Sequence, residues 1–401
     1  MKILFQTLTL IVSVLVLFFF IRMYALIFIL ISVIVALSSK VLSKSKNKLV
    51  VIINIVMLAT IFLTLKNANG IYFPLGYSVF AFSAISLIID QYRKPHDYTT
   101  LEILCYMFFF PKIFAGPIDR VGEFVEQLRK DWHIKFINLY IPLKMSIFAC
   151  FYKYVLADRL YALSNDTYYG VNELFCIITF GIAFFLDFYA YSIFAIAFGK
   201  IFGIELSENF NSPYCSMSFR EFWRRWNITL GSWLRDYIYI PLGGNKLSSP
   251  QLSINLLVVF FVSALWHNFS LPFILWGFLH ATFVIMEHVF KINGNRLYGM
   301  LVFLVCCLLW QLFEVTNIQA FSDGLKRITE YQPINCSIAV GFVCSILALV
   351  FTDRKVVKNI IFHHQDSSRY ILKEVPITSI ILVIDILLLN NPTVDFFYLR
   401  F

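Results

Sequence analysis

The stretch S263-ALWHNFSLPFILWGFLH-A281 is almost wholly apolar, yet it carries two histidines, His267 and His280. A histidine in such a segment is more often packed and hydrogen-bonded than catalytic, but burying an ionisable group in hydrocarbon is costly, so it stands as a functional hypothesis by default. The surrounding sequence has the same character. The chain has 401 residues, 59% hydrophobic and 14% charged, with 44 phenylalanines and a mean hydropathy of +0.76. A soluble protein carries roughly 25% charged residues. Apolar runs long enough to cross about 30 Å of hydrocarbon recur from end to end.

These runs fall at 3–21, 23–39, 49–65, 71–90, 101–118, 135–157, 174–198, 252–266, 269–287, 298–315, 336–352 and 374–390, as read from hydrophobic periodicity. They predict an all-α polytopic membrane protein of about 10–12 membrane segments, forming one membrane-embedded domain over 1–401. Several runs are short or interrupted by Pro or Lys and read as re-entrant pieces. The first run lacks a small-residue cleavage site and reads as a retained helix. Lys2 and the basic loop Lys40–Lys48 place the N-terminus in the cytoplasm. The net charge of +9 reflects basic cytoplasmic loops and needs no nucleic-acid partner. Cys105, Cys150, Cys176, Cys306, Cys307 and Cys344 sit in apolar runs without ligand spacing. They read as small buried hydrophobes, and no metal site is expected.

Two segments have amphipathic helical patterns. Asp119 to Trp132 puts Val121, Phe124, Leu128 and Trp132 on one side, suiting an interfacial helix. The second, S218-FREFWRRWNITLGSWLRDYIYIPLGGN-K246, opens on Ser218 and Glu221 with the spacing of a capping box. Phe219, Phe222, Trp226, Leu230, Trp233 and Tyr237 follow on one helical face. Arg220, Arg224, Asn227, Gly231 and Arg235 form a second stripe, and Pro241 with Gly243 and Gly244 ends the helix. Two readings stand for that stripe. It anchors an interfacial helix to lipid phosphate, or it faces an anionic ligand, which the planar fork of Arg grips through two oxygens.

Asn227 and His267 form a candidate pair. A neutral imidazole accepts a proton near neutral pH, and an amide orients that base or stabilises an oxyanion. His280 either lines the same site or packs. His288, His363 and His364 lie at span ends or in loops and read as solvated or interfacial.

With these residues in view, the chain resembles the membrane-bound O-acyltransferase family, in the branch that acetylates alginate and other polysaccharides. The resemblance rests on FFPKIFAGPIDR (109–120), LDFYAYSIFAIAFGKIFGIELSENFNSPY (186–214), FWRRWNITLGSWLRDYIYIPLGGN (222–245) and LWHNFSLPFILWGFLH (265–280). It covers about 109–288. It implies helices around a central funnel, with His267 catalytic, Asn227 at the second hallmark polar position, and Trp226, Trp266 and His280 supporting the site. Many polysaccharide-acetylating relatives have His where this chain has Asn227, and usually Gly where it has Asn268. The resemblance implies no bound cofactor and an acyl-CoA donor, acetyl-CoA, taken from the cytoplasm through the cell (inner) membrane. Arg224, Arg225 and Arg235 are then candidates for the CoA phosphates, with Asp236 a competing partner for an Arg. The acceptor would be a cell-envelope polysaccharide, reached through an SGNH-type extracytoplasmic transferase. The tail Val394–Phe401, with Phe396, Tyr398 and Phe401, resembles the aromatic tail of alginate-type relatives. It makes Tyr398 a candidate acyl relay, against the alternative of an interfacial aromatic belt. Two rival functions stand beside this one: an acyltransferase for lipid or protein hydroxyls, and a transporter or flippase.

Overall fold

The computed structural model describes residues 2–22, 24–67, 76–114, 116–130, 136–164, 166–362 and 368–388, and these residues form helices and loops with no strand. Nine helices among them are long and apolar enough to cross a membrane. The protein is an all-α polytopic membrane protein. Its backbone packs as two compact units, residues 1–142 with 195–208, and 143–194 with 209–401.

The first unit begins with α1 (Lys2–Ile21), α2 (Tyr24–Lys44), α3 (Lys48–Asn67) and α4 (Tyr77–Arg93). Phe28, Tyr77 and Phe80 are buried between them, while Leu4, Phe19, Leu30 and Ile53 face outward. Outward apolar side chains suit lipid, because every backbone group is satisfied inside its own helix. The run expected at 101–118 is interrupted. It forms α5 (Thr100–Phe108) and the one-turn α6 (Phe110–Ile113). Pro111 lies in the first turn of α6, where it cannot continue the helix before it. Thr99 and Glu102 cap α5 reciprocally, and Glu102 also holds Arg129 at 2.6 Å. The amphipathic segment is α7 (Val121–Leu128), which buries Val121, Phe124, Val125 and Leu128. Trp132 lies outside the described residues. Lys112 is buried, with its ammonium 3.3 Å from the centre of the Tyr106 ring, a cation–π contact.

The second unit takes α8 (Phe136–Cys150) from Leu143 on, which runs through a π turn at Phe151–Ala157 into α9 (Asp158–Ser164). Then come the 31-residue α10 (Val171–Ile201), which belongs to this unit as far as Phe194, and α11 (Phe219–Arg225) and α12 (Ile228–Leu234). They are followed by α13 (Ser249–His267), α14 (Leu271–Val289), α15 (Arg296–Trp310), α16 (Ile318–Arg327), α17 (Cys336–Asp353), α18 (Lys355–Phe362) and α19 (Ser368–Leu388). A three-residue loop makes α13 and α14 an antiparallel hairpin. Gly277 permits their close approach, since a Cβ there would lie 2.8 Å from the Phe260 carbonyl oxygen. Buried ions pair within this unit. Lys153 reaches Asp158 at 2.7 Å and Asp187 at 2.8 Å, and Lys144 reaches Glu374 at 2.8 Å. Such charges survive in an apolar interior only when paired.

Three expectations need correction here. The segment after Ser218 is two short helices, not one. A third amphipathic helix, α16, carries Ile318, Phe321 and Leu325 between polar residues, and at barely three turns it is too short to stand out by periodicity. Cys105, Cys176, Cys306 and Cys307 are buried as expected, Cys150 is partly buried, but Cys344 is exposed, on the outward side of α17 where lipid takes the place of a core.

Candidate active site

The polar stripe builds the site. Its helix starts where expected: the Ser218 hydroxyl accepts the Glu221 amide at 3.1 Å, and the Glu221 carboxylate turns back to the Met217 amide at 2.7 Å. That bond foremost, against the opposing effect of burial, and Arg225 next, hold the Glu221 carboxyl below the usual carboxylate range. A second carboxylate, Glu287 from α14, is buried and receives the Phe219 amide at 2.5 Å and the Arg220 amide at 3.0 Å. Charge-assisted bonds to free amides at a helix start are the strong kind.

The helix then breaks. Asn227 has φ 42° and ψ 57°, a left-handed conformation that Asn tolerates better than most residues. The carbonyl of Arg225 and the amide of Ile228, freed by the break, pair with Asn211 and Asn209 at 2.9 Å each. The Thr229 hydroxyl donates to the Asn209 side chain at 2.6 Å. The Asn227 carbonyl still accepts the Gly231 amide and so starts α12. The chain leaves α12 by a π turn, Arg235–Tyr239, and reverses at Gly243 and Gly244, whose φ of 111° and 56° only glycine adopts freely.

The break does not scatter the stripe. Arg220, Arg224, Asn227, Gly231 and Arg235 all line one cavity of about 730 Å³. The aromatic face, Phe219, Phe222, Trp226, Leu230 and Trp233, is buried, and of these Trp226 and Leu230 also line the cavity. Across the cavity stand Leu252, Leu256, Phe260 and Ser263 of α13, and Trp276, Val284 and His288 of α14. His267, the last residue of α13, also lines it. Leu252 and His267 lie fifteen residues apart on one helix, roughly 22 Å at 1.5 Å per residue. His267 is 7% exposed and Asn227 6%, whereas Arg224 and Arg235 are exposed. The cavity therefore runs from a cationic mouth to a buried floor.

The floor is aromatic. The His267 ring stands 4.5 Å from Trp266, 5.0 Å from Phe313 and 5.4 Å from Trp276, centre to centre. Trp226 and Trp310 pack at 4.6 Å beside them. His267 thus presents its imidazole to a deep, aromatic-walled part of the cavity.

The candidate residues are sorted as follows. His267, Asn227, Trp226, Arg224 and Arg235 line the cavity; Trp266, His280 and Arg225 do not. Arg225 pairs with Glu221 at 2.6 Å. Arg235 pairs with Asp236 at 2.8 Å, as the Asp236 alternative anticipated. His280 is fully buried and accepts the Trp223 indole N–H at 3.3 Å, so it packs behind the wall. Tyr398 lies outside the described residues, as do His363 and His364. His288 lines the cavity and is half-buried, which its place at a span end concealed. Arg220 lines the cavity as a member of the polar stripe, and Glu287 is the participant that sequence reading left unassigned. The signal for Glu287 was present, as a carboxylate at the end of the apolar run 269–287.

Comparison with known proteins identifies the chain. Residues 2–295 match the membrane-bound O-acyltransferase family. A probable alginate O-acetylase of Pseudomonas aeruginosa is 32% identical over 307 residues, 70% of this chain and 58% of that protein. A peptidoglycan O-acetyltransferase of Helicobacter pylori is 26% identical, over 63% of this chain and 56% of that protein. A teichoic acid D-alanyltransferase of Bacillus subtilis is 26% identical, over 57% and 62%. The chain belongs to the membrane-bound O-acyltransferase family. The match reaches back to residue 2, well before the 109–288 stretch whose motifs carry the resemblance. The matches cover about three fifths of these relatives' length.

Proposed function

We propose that this protein is a membrane O-acyltransferase that takes an acetyl group from a cytoplasmic acyl-CoA and delivers it to hydroxyls of an extracytoplasmic polysaccharide. The observation that carries this reading is His267 and Asn227 on the floor of one cavity whose mouth is ringed by arginines. A thioester is already activated, so the protein needs mainly a base, an oxyanion donor and anion-binding groups. His267 is the base, and Asn227 orients the imidazole or meets the oxyanion. Arg224 and Arg235, with Arg220, take the donor's phosphates. The roughly 22 Å between mouth and floor suits a donor whose thioester sits at the end of a long arm. Family membership favours acyl transfer over a transporter or flippase. The names of the relatives favour a polysaccharide acceptor, while Asn227 favours lipid or protein hydroxyls.

The charge distribution supports a cytoplasmic mouth. Among the described residues, Lys246, Lys291, Arg296, Arg354, Lys355 and Lys358 lie at the ends of α13, α14, α15, α17 and α18 on that side, whereas on the His267 side α16 carries Lys326 and Arg327, paired with Asp323 and Glu173. Basic loops stay inside. The acyl group would then leave from the His267 end toward an SGNH-type transferase, with Tyr398 as relay.

The test is transfer from labelled acetyl-CoA by the purified protein in nanodiscs, read as CoA release and as acetyl on an alginate oligosaccharide. No CoA release from the wild type would reject the reading. Arg224→Ala is expected to raise the KM for acetyl-CoA about 10- to 100-fold, the loss of one charged hydrogen bond of about 1.5–3 kcal/mol, with kcat little changed. An unchanged KM in both Arg224→Ala and Arg235→Ala returns the stripe to lipid anchoring. Tyr398→Phe keeps the ring and removes only the hydroxyl. If Tyr398 is the relay, the substitution abolishes surface-polysaccharide acetylation in cells; normal acetylation leaves Tyr398 in an aromatic belt.

A further inference from the structure

One wall of the cavity is a single helix face. Trp276, Val284 and His288 of α14 line it, and the Trp276 ring meets that of His267 at 5.4 Å. From Trp276 to His288 the helix advances twelve residues, roughly 18 Å at 1.5 Å per residue. His288 therefore stands at the mouth, while Trp276 marks the level of His267.

Arg220 stands beside His288. Glu287, the neighbour of His288 in the chain, is fully buried and binds the amides of Phe219 and Arg220. Its Oε2 also accepts the Arg220 Nε–H, at 3.4 Å. The backbone donors at the start of α11 are thus already taken, and what remains on offer there is side chain. A guanidinium carries five N–H donors. Among the described residues, no hydrogen-bond partner meets the Nη groups of Arg220 or the imidazole of His288. Both residues line the cavity, Arg220 exposed and His288 half-buried. Of the three arginines in the lining, Arg220 is the one held by a fully buried carboxylate, whereas Arg235 turns to the partly exposed Asp236. A guanidinium fixed through Nε presents its Nη pair as a fork, the shape that two phosphate oxygens match.

The height of this pair above the floor fits a particular ligand group. A pantetheine arm has roughly thirteen bonds between its sulfur and its phosphorus, about 15 Å when extended as a peptide chain is. A thioester held at His267 brings that phosphate to the level of Arg220 and His288.

We infer, resting on the acyl-transfer reading above, that Arg220 and His288 form the seat of the phosphate that ends the donor's pantetheine arm. Arg220 grips it through the Nη pair, and His288 donates a ring N–H. With the phosphate seated, the arm is stretched down the cavity and the thioester is placed at His267. The phosphates farther from the sulfur are left to the rest of the mouth, Arg235 among it.

The test compares donor fragments of increasing length: S-acetyl-pantetheine, S-acetyl-4′-phosphopantetheine and acetyl-CoA. Each is assayed with the protein in nanodiscs and an alginate oligosaccharide, read as thiol release and as acetyl on the sugar. The quantity measured is the gain in kcat/KM that the 4′-phosphate brings over S-acetyl-pantetheine. Taken within one variant, that gain cancels changes in folding and in the chemical step. In the wild type it should be about 10- to 100-fold. Arg220→Ala should cut it by about tenfold or more. His288→Phe, which keeps a ring and removes the N–H, should cut it by about 2- to 10-fold. Arg235→Ala should leave it at the wild-type value and lower only the further gain from S-acetyl-4′-phosphopantetheine to acetyl-CoA. An unchanged gain in Arg220→Ala or in His288→Phe overturns the inference. So does a cut in Arg235→Ala equal to that in Arg220→Ala, which marks a diffuse attraction by the whole mouth. A wild type that transfers acetyl but is indifferent to the 4′-phosphate overturns the inference and leaves the acyl-transfer reading standing. A wild type that releases no thiol from any of the three donors removes the acyl-transfer reading and this inference together.

Discussion

His267→Ala should reduce acetyl transfer to background, a loss of about 10²- to 10⁴-fold for removal of a general base. His267 is the only titratable side chain among the described residues that lines the deep end of the cavity, since Arg220, Arg224, Arg235, Tyr239 and His288 stand toward the mouth. Its ring fills space between Trp266, Trp276 and Phe313, so alanine also removes packing. His267→Asn separates the two effects, because it keeps a polar side chain of similar reach but cannot act as a base at neutral pH. Both variants should elute as monodisperse protein in detergent, and both should be inactive. Wild-type acetylation in either one would sink the mechanism. His280→Ala should cost less, since that ring lies behind the cavity wall and touches the site only through Trp223 and Trp276.

Asn227 carries the second large effect, and its backbone makes the experiment sharper than a single alanine. The left-handed conformation, φ 42°, costs most residues about 1–2 kcal/mol. Asn227→Ala therefore loses the amide and gains strain. Asn227→Gly loses the amide but relieves the strain. If the residue serves only the chain reversal between α11 and α12, glycine should be as active as wild type and more stable than alanine. If the amide works at the reacting centre, both variants should fall together, by about 10²-fold in kcat. Asn227→His should retain part of the activity, since imidazole can also donate a hydrogen bond there. Measuring kcat beside the thermal midpoint for the three variants decides the matter. Full activity in Asn227→Ala would show that Asn227 is not part of the chemistry.

Much of this was legible in the linear sequence, for identifiable reasons. Hydrophobic length and composition specify membrane helices almost without help from tertiary structure, because in lipid each helix satisfies its own backbone. The run at 101–118 misled, and there Pro111 was a visible warning; the runs at 71–90 and 374–390 are likewise not among the nine helices that are long and apolar enough to cross a membrane. Periodicity in 218–240 gathered Arg220, Arg224, Asn227, Gly231 and Arg235 into the stripe that lines the cavity, although the helix itself did not survive and Trp226 and Leu230 of the aromatic face line it too. The Ser218 cap and the turn at Gly243 and Gly244 were likewise local, since each is decided by a few neighbouring residues.

The break at Asn227 was not local. Its freed backbone groups are satisfied by Asn209 and Asn211, and Thr229 reaches Asn209 across a separation of twenty residues. No pattern within 218–240 announces that partner. The same holds for Glu287, which caps α11 from α14 at a separation of 68 residues, and for His288, drawn to the cavity because α14 folds back antiparallel on α13. Periodicity tells a side chain which face of its helix it occupies. It does not say what that face meets, because the meeting depends on chain reversals and on which buried polar groups find each other. By itself, then, the sequence determined an all-α membrane protein with His267 and Asn227 as marked polar residues. Tertiary structure alone decided that they share one cavity, and that Arg224 faces it while Arg225 turns to Glu221.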